Sequence, residues 1–440
     1  MGEAMAEKFR WVAAGLAVAG IGFALAGEAW GSGFQVRENS AAALGNAFAG
    51  AAASAEDPGI ITNNPAAMIG LSGNQVSGDI TTVIPSAVFS GSGLTAARQP
   101  ISGGNGGDAG SAQLVPAAFG FYDAAPDLKF GLALTAPFGL QTQYDSGWVG
   151  RYQAIKSDIE TININANVAY RIANWLSVGG GPAIQQAHAE FSNAINATTL
   201  VRLANPLLPA GSTLPDGTAR VTGDSWSAGY ALGALVELSP ETRLGASYRS
   251  QISHRIEGTA TFAVPGPLAA NPQFQTSAAR ADLKTPDVVS LAASHQIAPG
   301  LTLLAEVQWT NWSVVKNLRI ERPDGSALSD QPEQWHGTWF GSIGATWRPD
   351  PNWTFRSGVA FDPSPIRNQF RTARLPDSDR YWLAVGLGYA WTPDLRFDAA
   401  YAHIFAASPP IDEVSPTSDV LAGRYSNHID IVSLSATLRF

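Results

Sequence analysis

From residue 74 onward apolar and polar side chains alternate with a period of two, in runs long enough to cross a bilayer as tilted strands of about 9 to 11 residues. The run 158–172 carries the pattern best. There Ile162, Ile164, Ala166, Val168, Tyr170 and Ile172 fall on one face, and Thr161, Asn163, Asn165, Asn167 and Arg171 on the other. The same alternation recurs at Leu128, Phe130, Leu132 and Leu134, at Leu244, Ala246 and Tyr248, at Leu301, Leu303, Ala305, Val307 and Trp309, and at Leu383, Val385, Leu387, Tyr389 and Trp391. Successive side chains of a strand point to opposite faces, so each run has one greasy surface and one wet one. Candidate strands span 74–90, 112–123, 128–138, 158–172, 175–191, 225–239, 242–261, 279–297, 301–316, 334–348, 353–362, 379–392, 395–407 and 427–440. That is about fourteen, an even number as a bacterial outer-membrane barrel requires.

The connections alternate in length. Tight turns such as Ala125-Pro126-Asp127, Pro240-Glu241, Ala298-Pro299-Gly300, Pro349-Asp350-Pro351 and Pro393-Asp394 interleave with long loops. Short turns on the periplasmic side and long loops outside are the asymmetry of such a barrel, which a soluble Greek-key protein has no reason to keep. Trp175, Trp226, Trp309, Trp312, Trp335, Trp339, Trp347, Trp353, Trp382 and Trp391 sit near strand ends, where interfacial aromatic belts are expected.

Both ends agree with export to a membrane. Lys8 and Arg10 precede an apolar run from Trp11 to Ala26, and Gly27-Glu28-Ala29 supplies small residues for cleavage, so residues 1–29 read as a secretory signal peptide. A membrane-spanning helix, the competing reading, needs about 20 apolar residues. At the far end Val432, Leu434, Ala436, Leu438 and Phe440 alternate with polar neighbours, and a strand closed by a terminal Phe resembles the signal read by barrel-assembly machinery. An amphipathic strand of a soluble sandwich is the plain alternative there. Cysteine is absent, which removes thiol chemistry and thiolate metal sites. The net charge of -9 argues against a nucleic-acid partner.

Fourteen strands enclose a lumen that wall side chains alone do not fill. Residues 30–72 are the candidate plug (hatch), with 73–440 forming the barrel. This segment is rich in Ala and Gly; Asn39-Ser40 reads as the cap of a helix over Ala41–Ala53, and Asn64-Pro65-Ala66 as cap, first-turn proline and short helix ending at Gly70. A flexible linker is the alternative, although linkers seldom carry helix caps.

At this point the chain resembles the FadL family of long-chain fatty acid transporters and their aromatic-hydrocarbon relatives such as TodX. The resemblance rests on Gly33-Phe34-Gln35, Leu44-Gly45-Asn46-Ala47-Phe48-Ala49-Gly50, Ala55-Glu56-Asp57 and Asn64-Pro65-Ala66 in the first segment. It continues through Ala136-Pro137-Phe138-Gly139-Leu140, Gly150-Arg151-Tyr152, Tyr248-Arg249-Ser250, Trp309-Thr310-Asn311-Trp312-Ser313, Phe361-Asp362-Pro363-Ser364-Pro365 and Pro376-Asp377-Ser378-Asp379-Arg380-Tyr381-Trp382. The resemblance implies a 14-stranded antiparallel transmembrane β-barrel in a Gram-negative outer membrane, stoppered by an N-terminal, partly helical plug. It also implies passive transport: outer loops capture a hydrophobic molecule, the plug shifts, and the ligand leaves sideways where the third strand kinks.

On that reading Phe34, Asn64, Pro65 and Ala66 belong to the gating plug. Ala136, Pro137, Phe138 and Gly139 are expected to mark the lateral opening, since proline removes a ladder donor and glycine tolerates a bend, against a strand that simply ends there and enters its loop. Leu140, Tyr144, Trp148 and Val149 in loop 139–157, and Leu200, Leu203, Leu207 and Leu208 in loop 192–224, are the apolar clusters expected to capture substrate, with packing of the loops on themselves as the alternative. Arg249 and Arg255 are the candidate contacts for a substrate carboxylate. Where fatty-acid members carry basic residues late in the fifth strand, this chain has Gln185-Gln186-Ala187-His188-Ala189-Glu190-Phe191, which leaves a neutral hydrocarbon open.

The six histidines lack metal-ligand spacing, and no nucleophile elbow or phosphate loop stands out, so the expectation is a non-enzyme without cofactor or metal. An Asp377, Ser378 and Asp379 cluster is a candidate for a divalent cation shared with lipopolysaccharide, against a solvated loop. The expected partners are a hydrophobic small molecule, outer-membrane lipids with lipopolysaccharide, and assembly machinery, with the barrel acting as a monomer. Two rivals stay open: a general porin for polar solutes, and an adhesin or phage receptor whose barrel is only an anchor.

Overall fold

The computed structural model describes residues 33–205, 209 and 212–440. The signal peptide expected over 1–29, and Leu207 and Leu208, lie outside these.

Among the described residues twenty strands form one antiparallel sheet that closes on itself. They are β1 (Gln75–Leu94), β2 (Gln113–Ala125), β3 (Leu128–Thr135), β4 (Gly139–Gln143), β5 (Lys156–Ala173), β6 (Leu176–Ile195), β7 (Gly217–Ser239), β8 (Thr242–Arg249), β9 (Ile252–Ala263) and β10 (Ser277–Thr285). The chain continues with β11 (Val288–Ala298), β12 (Leu301–Thr310), β13 (Asn317–Glu321), β14 (Ala327–Pro332), β15 (Thr338–Trp347), β16 (Trp353–Asp362), β17 (Arg380–Ala390), β18 (Leu395–Ala406), β19 (Pro410–Val414) and β20 (Val420–Arg439). Because β3 and β4, β8 and β9, and β10 and β11 are broken halves of single staves, and β13, β14 and β19 belong to outer hairpins, the wall is a 14-stranded barrel. Closure comes from β1 pairing with β20 along its whole length, from Gln75 opposite Arg439 to Leu94 opposite Val420. Closure leaves no free edge strand at this seam, the condition for a sheet in hydrocarbon.

Burial follows the period of two. Ile343, Leu383 and Leu434 are each more than half exposed on the outer surface, while Thr81, Asn165, Ser342 and Ser433 point inward and are buried. A surface that apolar is stable only against lipid. Trp175, Trp226, Trp339, Trp347, Trp353 and Trp391 are exposed and form the expected belts, but Trp312, Trp335 and Trp382 are buried. Position near a strand end sets the height of a side chain, and only the pleat or loop decides which way it points, so these three leave the belt for the interior.

The strands β6 and β7 run well above the apolar band, tied by Ala194 opposite Thr218. Much of the segment 192–224, expected as loop, is therefore sheet, with a helix at Ala197–Ala204 capped by Asn196, whose side chain accepts from the Thr199 N–H.

Inside lies the segment ahead of β1. Its first helix, Ala41–Gly45, is capped by Ser40 Oγ, which accepts from Ala43 N–H at 3.1 Å. The expected helix over 41–53 ends there, because Ala47 and Phe48 take left-handed conformations (φ 50 and 59). A 3₁₀ helix spans Pro65–Gly70 with Asn64 as its cap. Small residues face each other across the contact with the wall. A Cβ on Gly179 would meet the Ala66 nitrogen at 2.6 Å, and one on Gly45 would meet the Gly386 Cα at 2.9 Å.

Candidate functional site: a break in the wall closed by the plug

The ladder between β2 and β3 runs from Ala125 opposite Leu128 and stops at Ala118 opposite Leu134. On its other side β3 pairs with β5 as far as Thr135 opposite Asn163, and pairing resumes on β4 with Gly139 opposite Glu160. Four steps on one strand match three on the other, so Ala136-Pro137-Phe138 carries an extra residue and bulges. Proline has no N–H for a ladder, and the bulge turns the stave inward. Residues 113–117 of β2 then pair only with β1, which leaves a gap in the wall beside the kink.

Pro137, Phe138 and Gly139 are buried, and Ala136 nearly so, because the plug fills the bend. Val36 N–H donates to the Pro137 carbonyl at 2.9 Å and Gly139 N–H to the Phe34 carbonyl at 2.8 Å, so Phe34–Val36 makes a short antiparallel bridge with the kink. On the wall side Phe138 N–H donates to Thr161 Oγ1 at 3.0 Å. Phe34 occupies an aromatic box, its ring 4.8 Å from Trp312 and 5.7 Å from both Phe138 and Trp335.

The rear of the plug is held by charge and capping. Arg356, fully buried on β16, donates to Glu56 Oε2 at 2.7 and 2.9 Å and to Asp398 Oδ1 at 2.8 Å. Arg348 and Arg396 complete the cluster against Glu56 and Asp398. Burial pushes the Glu56 carboxyl up, but Arg356, Arg348 and Arg396 outweigh it and hold the group at about 2. Asn64 does three things at once: Oδ1 caps Ala66 N–H, and Nδ2 donates to the carbonyls of Ala52 (2.7 Å) and Ala234 (3.0 Å). Pro65 and Ala66 are buried against β5, β6 and β7.

Several expected roles land elsewhere. Leu140, Tyr144, Trp148 and Val149 are not an exposed cluster: all four are buried, and Trp148 stacks on Tyr144 at 4.0 Å and meets Phe89 at 5.5 Å. Their apolar area covers the mouth of the lumen from within, where burial is worth more than exposure in the medium. Leu203 is 72% exposed on the outer helix, and Leu200 is half-buried. Asp377 accepts from Gly33 N–H and Ser364 Oγ and pairs with Arg380, so the 377–379 stretch is an internal strut and not a solvated loop. Arg249 lines the interior beside the kink, whereas Arg255 points out of the barrel, 63% exposed and 3.7 Å from Asp282. A separation of six would put both on one face of an unbroken strand, but eight steps from Arg249 to Glu257 match seven from Ala231 to Asp224 on β7, and the extra residue at the break turns Arg255 outward.

Two parts of the site escaped the sequence. Trp312 and Trp335 carry the box, and glycines of the inner wall the seat of the plug. Trp312 follows the end of β12, a position outside any strand face that could have signalled an interior role.

Residues 22–440 match the family described as outer membrane protein transport proteins (OMPP1/FadL/TodX). The chain belongs to this family. Within it, the chain is 29% identical over 404 residues to the long-chain fatty acid transport protein of Salmonella typhi, covering 88% of this chain and 90% of that one. Outer membrane protein P1 of Haemophilus influenzae is 28% identical over 428 residues, with 90% of each chain covered. Among solved structures, a FadL homologue from Pseudomonas aeruginosa superposes with a TM-score of 0.87 at 27% identity, over 92% of this chain and 99% of the other. The toluene transporter TbuX of Ralstonia pickettii shares the fold with a TM-score of 0.66 at 20% identity, covering 92% and 99%. Like other members of its family, this protein is a barrel of the Gram-negative outer membrane.

Proposed function

We propose that the protein conducts hydrophobic compounds passively inward across the outer membrane and releases them sideways through the break beside Pro137. The carrying observation is the bridge between Phe34–Val36 and the kink: the plug segment beside the gap is held to the wall by two hydrogen bonds and an aromatic box. An apolar solute gains nothing from a water-filled pore but is stabilised by about 25 cal/mol for each Å² moved into an apolar cavity or bilayer. Lateral exit therefore delivers it downhill, with no energy source, past the lipopolysaccharide that bars the direct route. Phe34 acts as a stand-in for ligand in the box, while Asn64, Pro65 and Ala66 keep the rear of the plug seated. Of the outer apolar residues Leu200 and Leu203 remain for capture, and Leu140 and Trp148 line the mouth below them. Residues 1–29 serve as the signal, 30–72 as the plug and 73–440 as the barrel, inserted by the assembly machinery as a monomer.

The chain has no cysteine, so one engineered pair reports cleanly. Gln35 and Phe138 face each other across an antiparallel bridge, where paired Cα atoms lie about 4.5 Å apart and suit a disulfide. Gln35→Cys with Phe138→Cys should abolish uptake of labelled long-chain acid or toluene by cells when oxidised and recover it on reduction. Full uptake by fully cross-linked protein would end the lateral-exit reading; ion conductance independent of residues 30–72 would favour a general porin.

A further inference from the structure

The lipid-facing surface of the wall changes character beside the seam where the barrel closes. Phe361 of β16, Tyr381 of β17 and Phe405 of β18 stand opposite one another in turn, and the row continues to His428 of β20 and Ser86 of β1. The three aromatics are exposed and mark the outer interface of the bilayer. The next outward row toward the periplasm reads Val359, Leu383, His403, Asp430 and Ile84 across the same staves. Val359, Leu383 and Ile84 are exposed to lipid, and a hydrogen-bonded acid and base sit between them.

Asp430 Oδ1 accepts from His403 Nδ1 at 2.8 Å and from Tyr401 Oη at 2.6 Å. The His428 ring lies 6.2 Å from that of His403 and nearly parallel to it, at 28°. Among the described residues, His403 Nε2 and both nitrogens of His428 have no hydrogen-bond partner, and the pleat puts both side chains on the outward face. The acid on the neighbouring stave is already engaged, since Asp108 accepts from Ser86 Oγ, Ala87 N–H and Gly110 N–H. Two rows further out on β20 Arg424 is exposed, one of its nitrogens donating to the Ser408 carbonyl at 3.0 Å. Ionisable groups on the lipid face of a barrel are costly at mid-bilayer and tolerated where headgroups reach them, so this polar island suits a headgroup of opposite charge to its free imidazoles.

We propose that His403 and His428, braced by Asp430 and Tyr401, form a docking site on the outer wall for a phosphate of lipopolysaccharide, whose acyl chains lie over Ile84, Leu383 and Val432. With the anion against Nε2 and Asp430 at Nδ1, the His403 ring donates from both nitrogens, and His428 meets a second oxygen of the same phosphate. Arg424, on the order of 13 Å further along the strand, stands at the level of the sugars. A glycolipid held there covers the β1–β20 seam, whatever the lumen conducts.

The test is native mass spectrometry of the full-length protein in detergent, titrated with diphosphoryl lipid A and with the same lipid A stripped of its phosphates. The wild type should bind the phosphorylated form more tightly by about tenfold to a hundredfold, the range of charge-assisted hydrogen bonds. His403→Gln with His428→Gln should bring it down to the level of the stripped form and leave the stripped form unchanged. His428→Gln alone, which keeps the Asp430 hydrogen bonds, should lose part of the preference, and His295→Gln, on the wall elsewhere, should lose none. Equal affinity of the wild type for the two forms overturns the site, a result that needs no variant to fold. A preference untouched by the double substitution, or reduced as much by His295→Gln, also overturns it. Phosphatidylglycerol bound as tightly as diphosphoryl lipid A would overturn the assignment to the glycolipid.

Discussion

Removing the Glu56 carboxylate should loosen the rear of the plug without unfolding the barrel. Arg356 is fully buried and Glu56 and Asp398 are nearly so, and the local cluster sets two carboxylates against Arg348, Arg356 and Arg396. With Glu56→Gln Arg356 and Arg396 keep Asp398 while Arg348 loses its carboxylate, and breaking a buried pair from one side costs about 3 to 5 kcal/mol. The lower end applies, because Arg348 is 40% exposed and water takes over part of its solvation. About 3 kcal/mol is roughly a hundredfold in an opening equilibrium. Amide exchange of residues 46–57 should accelerate by that factor, since local opening sets the rate for a segment smaller than the whole fold. The strand amides and the heat-dependent gel shift of the barrel should stay unchanged. Glu56→Met with Arg356→Met should recover part of the loss, because Arg396 still satisfies Asp398 at 2.9 Å. The exposed pair Arg439 and Asp394 is the control, and Asp394→Asn should alter little. Exchange in 46–57 within threefold of the wild type would refute the clamp. Because the folded carboxyl is held at about 2 against 4.5, its contribution is present above about 4.5 and fades as the pH falls toward 2.

Other outcomes can be checked singly. Phe34→Ala empties the aromatic box of a side chain worth about 3 to 5 kcal/mol in a core, so plug dissociation from the kink should rise, read as dye entry through the barrel in liposomes. Gly179→Val would force a side chain onto the Ala66 backbone, costing about 1 to 3 kcal/mol, and should raise protease cleavage within 60–72. In the outer loops burial pushes Glu333 up to about 8, with the like charge of Glu413 adding to it, and burial pushes Glu413 up to about 7. Both favour the protonated form, so the stability they contribute is full below about 4.5 and lost as the pH rises through 7 to 8. The protection factors of residues 373–375 and 411–415, which cancel the base-catalysed rise of intrinsic exchange, should therefore be lower at pH 9 than at pH 6, and Glu413→Gln should remove most of the difference at Ala373, whose N–H it accepts.

The sequence by itself determined the wall. Alternation, turn length and the even strand count are local properties, written in neighbouring residues because lipid outside and a wet lumen inside act on every strand alike. It also marked the caps at Ser40 and Asn64 and the proline at the kink, each of which works through its own backbone. Only the tertiary structure decided what crosses the lumen. Glu56 meets Arg356 three hundred residues away, Phe34 meets Trp312 and Trp335, and Gly33 meets Asp377, and no spacing along the chain encodes those distances. The same reason explains Trp148 and Tyr144: loop residues are apolar whether they wait for a substrate or pack under a lid, and closure of the barrel brought Trp148 to Phe89 and Tyr144 to Tyr425. Strand periodicity tells a residue's face, but which face holds a partner depends on what the closed cylinder surrounds.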